Sequence, residues 1–203
     1  ILLFFIIFIS SKLLSQELPP IQSFMMDDDN ASGQNWMISQ SSNGDIFFAN
    51  NDGPLVYNGN KWNSYSSTSN TIVRSVNSIN DIVYTGENSD FGFWIKQKNG
   101  SYVYTSIPNK YEFELFEDEE FWNILEFKNW IVFQSLDRFI FFDPISEVIS
   151  SITPTGGVFK SFIIDNNLYF SINGQGIFKI DGGNYIPYNT NGIFTKNNII
   201  NVF

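Results

Sequence analysis

Apolar residues in this chain come in short runs, and turn-forming dipeptides separate the runs at close intervals. Residues 35–65, NWMISQSSNGDIFFANNDGPLVYNGNKWNSY, divide into segments 36–40, 45–50, 54–58 and 61–65. The breaks fall at Asn43-Gly44, Asn51-Asp52-Gly53 and Asn58-Gly59-Asn60. Asn-Gly supplies the positive φ values that tight hairpin turns require, so each break predicts a hairpin. Three hairpins in a row predict a four-stranded antiparallel meander.

The same layout recurs. VRSVNSI, IVYTGE, FWIKQ and SYVYTSI follow from Val73, with an irregular loop over 88–92. FWNILEF, WIVFQS, RFIFFD and EVISSI follow from Phe121, and VFKSFII, NLYFSI, GIFKI and NYIPY from Val158. Residues 198–203, NIINVF, read as the opening strand of a fifth unit. Matching second strands aligns Phe48, Tyr84, Phe133 and Phe170 at spacings of 36, 49 and 37, and an insertion at 108–120 accounts for the long interval. A period near 40 with four short strands per repeat is the signature of a β-propeller. Runs such as IFFA, WIVF and LYF barely alternate with polar residues, which suits strands covered on both faces. A two-sheet sandwich would not account for the likeness among repeats. The expected fold is therefore all-β, with blades at 35–66, 71–107, 121–153 and 158–189 of a larger propeller of seven or eight blades.

Composition narrows the chemistry. The 22 Phe, 9 Tyr and 5 Trp favour strands. A net charge of −10 with 11 scattered basic residues excludes a nucleic-acid-binding surface, which needs clustered Lys and Arg. The chain holds neither Cys nor His, which removes thiol nucleophiles, disulfides, the usual zinc sites and any Ser-His-Asp arrangement. Residues 1–9, ILLFFIIFI, are too short for a membrane span and of the length of a secretory h-region. Residues 1–16 thus read as a truncated signal peptide or a membrane anchor, and 17–34 as a connector. Within that connector Asp28-x-Asn30-x-Ser32-Gly33 opens like a calcium loop, but Ser39 stands where the bidentate acid belongs. No metal and no cofactor is expected.

The segments NWMISQ, GDIFFANNDGPLVYNGNKW, TIVRSV, TGENSDFGFW and EDEEFWNI resemble two-component regulator propeller proteins, over about residues 17–203. Pro54 departs from the pattern, which more often has an aliphatic residue there. The resemblance implies an extracytoplasmic input module at the periplasmic face of the inner membrane. In the full-length protein it implies a triple-tyrosine domain, a membrane helix, and a LuxR-type or histidine-kinase output, as well as a homodimeric receptor. Glycan fragments are the ligand class implied through the histidine-kinase relatives. No ligand class is implied through the LuxR-type group.

Meander connectivity places the second-to-third-strand loops and the blade-to-blade links at one end, and the tight turns at the other. Longer, more varied loops on a rigid scaffold are where binding residues concentrate. The candidate ligand contacts at that end are Asn51, Asp52, Glu87, Asn88, Asp90, Asp137, Arg138, Asn173 and Gln175. An ion pair with Asp137 or Asp143 explains Arg138 equally well. Trp36, Trp62, Trp94, Trp122 and Trp130 can stack on sugar rings, but strand positions favour blade packing. Trp122, beside the insertion, joins the candidate site. The run Glu117-Asp118-Glu119-Glu120 reads as a solvated rim. A protein–protein scaffold is the second functional reading. A propeller glycoside hydrolase or lyase is the third, disfavoured because no His and no recognisable carboxylate pair are present.

Overall fold

The computed structural model describes Ile21, residues 31–190 and residues 192–196. The expected signal peptide or anchor at 1–16, most of the expected connector and the expected fifth-unit strand at 198–203 fall outside the described residues.

Four antiparallel sheets of four strands each form in strict sequence order. The first holds β1 (Asn35–Gln40), β2 (Ile46–Asn50), β3 (Leu55–Tyr57) and β4 (Trp62–Ser64). The second holds β5 (Val73–Ile79), β6 (Ile82–Glu87), β7 (Phe91–Lys96) and β8 (Tyr102–Ser106). A short helix, α1 (Ile107–Tyr111), opens the insertion and is capped by the Ser106 hydroxyl, which accepts from Asn109 N at 3.2 Å. The third sheet holds β9 (Asn123–Phe127), β10 (Trp130–Gln134), β11 (Phe139–Phe142) and β12 (Ile149–Ile152). The fourth holds β13 (Lys160–Ile164), β14 (Asn167–Ile172), β15 (Gly176–Asp181) and β16 (Asn184–Asn189), and α2 (Ile193–Lys196) follows. Several turns take positive φ at consecutive residues, 50° and 64° at Asn80-Asp81 and 47° and 58° at Asp165-Asn166. That is the conformation two-residue hairpins demand.

The first strands of successive sheets run beside one another, as the inner strands of propeller blades do. Ser78 N donates to Ser39 Oγ at 2.9 Å, Asn77 Nδ2 to Ile124 O at 3.0 Å, and Asn123 Nδ2 to Ser161 O at 3.3 Å. Cores form between sheets. Phe47, Val76, Val83 and Trp94 fill the first interface, Tyr84, Phe91, Phe133 and Ile140 the second, and Val132, Phe139, Phe170 and Phe178 the third. All four residues of β11 are buried, as a strand covered on both faces must be. The outer strands are more open, and Ile38 and Tyr188 lie exposed on the outward faces of the first and fourth sheets.

The tight-turn end is also fastened. Asp45 accepts from Lys96 Nζ at 2.5 Å and from the Tyr102 hydroxyl at 2.7 Å, tying the first sheet to the second. Burial acts to raise the Asp45 carboxyl, but these partners outweigh it and hold the group below its ordinary value.

Two expectations need correction. Tyr84 does not align with Phe48, Phe133 and Phe170. It faces the third sheet, where its ring meets Phe133 at 6.1 Å, whereas its neighbour Thr85 faces the first sheet beside Trp94. A period-2 strand puts adjacent residues on opposite faces, and an aromatic match alone cannot fix that parity. The expected loop over 88–92 is shorter, because β7 already begins at Phe91. Gly92 lies inside that strand, where a Cβ would fall 2.2 Å from Thr105 O.

Candidate functional site

The loop face assembles as connectivity predicts. Tyr65 N donates to Pro54 O at 3.0 Å, Ser89 N to Glu119 O at 2.8 Å, Val158 N to Leu136 O at 2.7 Å, and Gln175 Nε2 to Thr155 O at 3.3 Å. Each bond joins a second-to-third-strand loop to a blade-to-blade link. Gly53 permits one such approach, since a Cβ there would sit 2.2 Å from Tyr65 O.

At the axial edge of this face three inner-strand positions converge. Trp36 and Arg74 both occupy register shifts, in β1 between Asn35 and Met37 and in β5 between Val73 and Ser75. Bulges re-aim side chains, and here both turn toward Trp122, just ahead of β9. The two indoles meet edge to face at 5.7 Å, and the Arg74 guanidinium lies 4.4 Å from the Trp36 ring centre and 4.7 Å from that of Trp122. Arg74 donates through Nε (3.1 Å) and Nη2 (2.8 Å) to Glu120 Oε1. Trp36 Nε1 donates to Asn51 Oδ1 at 2.7 Å, and Asn88 pairs with Glu120 in a short β-bridge. Trp36 remains 42% exposed, and the shielded Trp122 Nε1 has no hydrogen-bond partner. The result is an aromatic patch at the rim in which the Arg74–Glu120 pair is held against two indoles and Trp36 stays partly open to solvent.

Of the residues expected from sequence, Asn51, Asn88 and Trp122 belong to this cluster. Asp52, Asp137, Asn173 and Gln175 are exposed elsewhere on the loop face. Glu87, Asp90 and Arg138 are not rim residues at all, being 0%, 3% and 6% exposed. Arg138 pairs with neither Asp137 nor Asp143. Its Nη2 and Nε reach Glu119 at 2.8 and 3.0 Å, Nη2 also meets Glu114 O at 3.1 Å, and its guanidinium stacks 3.9 Å from the Phe116 ring centre. Glu119 is therefore no part of a solvated rim. The insertion folds its carboxylate inward, where Ser135 Oγ also donates at 2.8 Å. The last two acids of the insertion are divided between the chain's two arginines.

Glu87 and Asp90 lie beneath the rim. Glu87 accepts from the hydroxyls of Ser67, of Ser69 at 2.9 Å and of Thr85 at 3.1 Å. Burial pushes its carboxyl up to about 7 against the pull of those hydroxyls, and the charge of Asp90 adds to the rise. Asp90 is raised by burial too, while Oδ1 accepts from Ser106 Oγ at 2.7 Å and Phe91 N at 2.8 Å.

Arg74 was missed in the sequence, Trp36 was set aside there as blade packing, and Glu120 was read as part of a solvated rim. The available signal was an Arg and two Trp near the starts of three successive first strands. Bulges have no such signal. At the opposite end, a cavity of about 340 Å³ opens between the third and fourth sheets, with Phe127, Trp130 and Phe141 among its walls.

No protein-family model matches the chain, and no curated protein matches it. Solved structures do. The extracellular domain of the hybrid two-component system BT4673 from B. thetaiotaomicron superimposes with a TM-score of 0.59 at 16% identity, over 80% of this chain and 23% of that one. For the extracellular domain of the hybrid two-component system BT3049 from the same organism the values are 0.61, 11%, 84% and 27%. A catalytically inactive virginiamycin B lyase from Staphylococcus aureus with quinupristin gives 0.62, 20%, 81% and 58%. This chain thus spans about a quarter of the two extracellular domains and somewhat over half of the lyase. These likenesses agree with the resemblance seen in the strand motifs, and what they establish, together with the four meanders, is the fold: four consecutive blades of a β-propeller.

Proposed function

We propose that the chain is part of the extracytoplasmic input module of a transmembrane regulator, and that it binds a polar ring-shaped ligand, of which a glycan fragment is the leading class, at the Trp36–Arg74–Trp122 cluster. The observation that carries this reading is the cluster itself. A partly exposed indole, a guanidinium and side-chain amides at one place match the apolar face and hydroxyl edge of a sugar ring. Its position at the inner strands on the loop face puts it where blades converge. The two B. thetaiotaomicron extracellular domains, which share this blade arrangement, support the assignment to a sensor. Ligand binding would bias two receptor arrangements by its differential affinity for them, and so carry the signal inward.

Similarity to the lyase does not favour a lyase reading. That structure was inactivated by replacing a histidine with alanine, and the present residues include no His. The buried acids of the present chain, Glu87 and Asp90, are shielded from solvent.

Calorimetric titration of the chain with a panel of neutral and acidic oligosaccharides tests the proposal. Trp36→Ala and Arg74→Ala should each weaken the best ligand by about tenfold or more, equivalent to about 1.4 kcal/mol. Lys98→Ala, at the tight-turn end, should leave affinity unchanged. Equal affinity in all variants would move the site away from the cluster.

A further inference from the structure

Beneath the rim loop of the second blade, two carboxylates are buried together without a counter-ion. Glu87 and Asp90 flank the loop, with Glu87 N donating to Asp90 O at 2.9 Å. Among the described residues no Lys or Arg forms an ion pair with either acid. The groups that face them are hydroxyls and one phenol. Ser67 and Ser69 come from the link between the first two blades, and Thr85, Ser106 and Tyr104 from the second blade. Thr85 Oγ1 also accepts from Trp94 Nε1 at 2.9 Å, which turns its proton toward Glu87. The insertion contributes only backbone here, Phe121 N to Glu87 O at 3.2 Å and Ser89 N to Glu119 O at 2.8 Å. The carboxylates of Glu119 and Glu120 are committed to Arg138 and Arg74.

Neutral donors surround the pair, but among the described residues no cation offsets the charge of a doubly ionised pair. Glu87 has three hydroxyl donors, but burial outweighs their pull and favours its neutral form. Asp90 Oδ2 is buried, and the group turned toward Asp90 on that side is the equally buried Tyr104 hydroxyl, a neutral phenol and not a cation. Two carboxylates buried side by side without a cation are a place for a proton, because neutralisation is cheaper than burying the second charge.

We infer that Glu87 and Asp90 hold one proton between them and form a proton-operated clasp, which closes the link 65–72 onto the rim loop while protonated and loosens when the proton leaves. With both acids ionised, the site holds two negative charges, hydroxyl dipoles and no cation, and entry of water is the relief. The moving parts would be the link carrying Ser67 and Ser69 and the loop residues Asn88 and Ser89. Those loop residues touch the insertion at Glu119 and Glu120, so the clasp adjoins the Arg74–Glu120 pair of the candidate site. The clasp stands whether or not that site binds a glycan.

The sign of the linkage follows from the raised carboxyl. Its contribution to stability is complete below the unfolded value near 4.5 and disappears as pH rises through about 7. The test is carbon-13 NMR of the side-chain carboxyls from about pH 4 to about pH 9, with thermal melting over the same range. One of the two acids should titrate near neutrality. Melting temperature should fall as pH rises from about 5 to about 8, and amide protection in 66–70 and 88–89 should drop with the same midpoint. Either Glu87→Gln or Asp90→Asn should remove the near-neutral step and leave melting flat over that interval. Normal carboxyl titration of both acids below about pH 5 would overturn the clasp, as would a near-neutral step that survives in both variants.

Discussion

Replacing Arg138 by methionine is expected to destabilise the fold by about 3–5 kcal/mol, the usual cost of removing one partner from a buried ion pair. Both side chains are shielded, Glu119 completely and Arg138 to within 7%. Removing the guanidinium would strand the Glu119 carboxylate with Ser135 Oγ and Phe116 N as its remaining donors. It would also free Glu114 O and remove the cation stacked on Phe116. These contacts fold the insertion back onto the third blade, so urea unfolding should reveal a local component as well as the global loss. The double variant Arg138→Met, Glu119→Leu should be markedly more stable than the single one, because it removes the stranded charge along with its partner. A single variant within about 1 kcal/mol of the parent would mean that the insertion is held by its rings alone. An effect on ligand binding is expected too. Glu120, next in sequence to Glu119, is the carboxylate that orients Arg74.

How much of this was legible in the sequence depends on the physical range of each signal. Hairpin turns are local, and turn residues such as Asn43-Gly44, Asn80-Asp81 and Lys128-Asn129 marked the breaks between the observed strands. Blade packing was legible because strands buried on both faces lose their alternation, as FIFF of β11 does. Connectivity then placed the loop face without side-chain detail. The site itself was less accessible. Trp36 and Arg74 read as ordinary strand positions, and only the register shifts at those residues turn them toward Trp122. Glu119 and Arg138 stand 19 positions apart and meet through the fold of the insertion, which no spacing rule encodes. Glu87 and Asp90 looked like loop donors because their sequence neighbours Asn88 and Ser89 are polar. Burial of alternate loop residues under a neighbouring blade is a tertiary fact.

The second large effect is expected at Phe91, whose truncation to alanine should cost about 3–5 kcal/mol. Its ring is 0% exposed and lies 4.4 Å from the Phe133 ring, 4.8 Å from Phe121 and 6.4 Å from Phe113. Separate parts of the chain therefore meet on one side chain: β7 of the second blade, Phe121 and β10 of the third, and the insertion through Phe113. Deletion leaves a cavity that these rings cannot collapse to fill while their own strands stay hydrogen-bonded, and the cost of a large-to-small change grows with the cavity that remains. Phe91→Leu keeps most of the volume and should lose much less. Gly86→Ala strains the same junction from the other direction, since its Cβ would fall 2.6 Å from Phe121 Cβ and 2.8 Å from Phe121 O. Urea unfolding of the three variants separates the mechanisms. Phe91→Ala and Gly86→Ala should both be destabilised, while a small apolar solute such as benzene should restore stability to Phe91→Ala alone. Equal stability of Phe91→Ala and Phe91→Leu would show that the three elements repack around the missing ring. In that case the rim above it, including Asp90 and the Glu119–Arg138 pair, would owe its position to hydrogen bonds and ion pairs and not to the aromatic core.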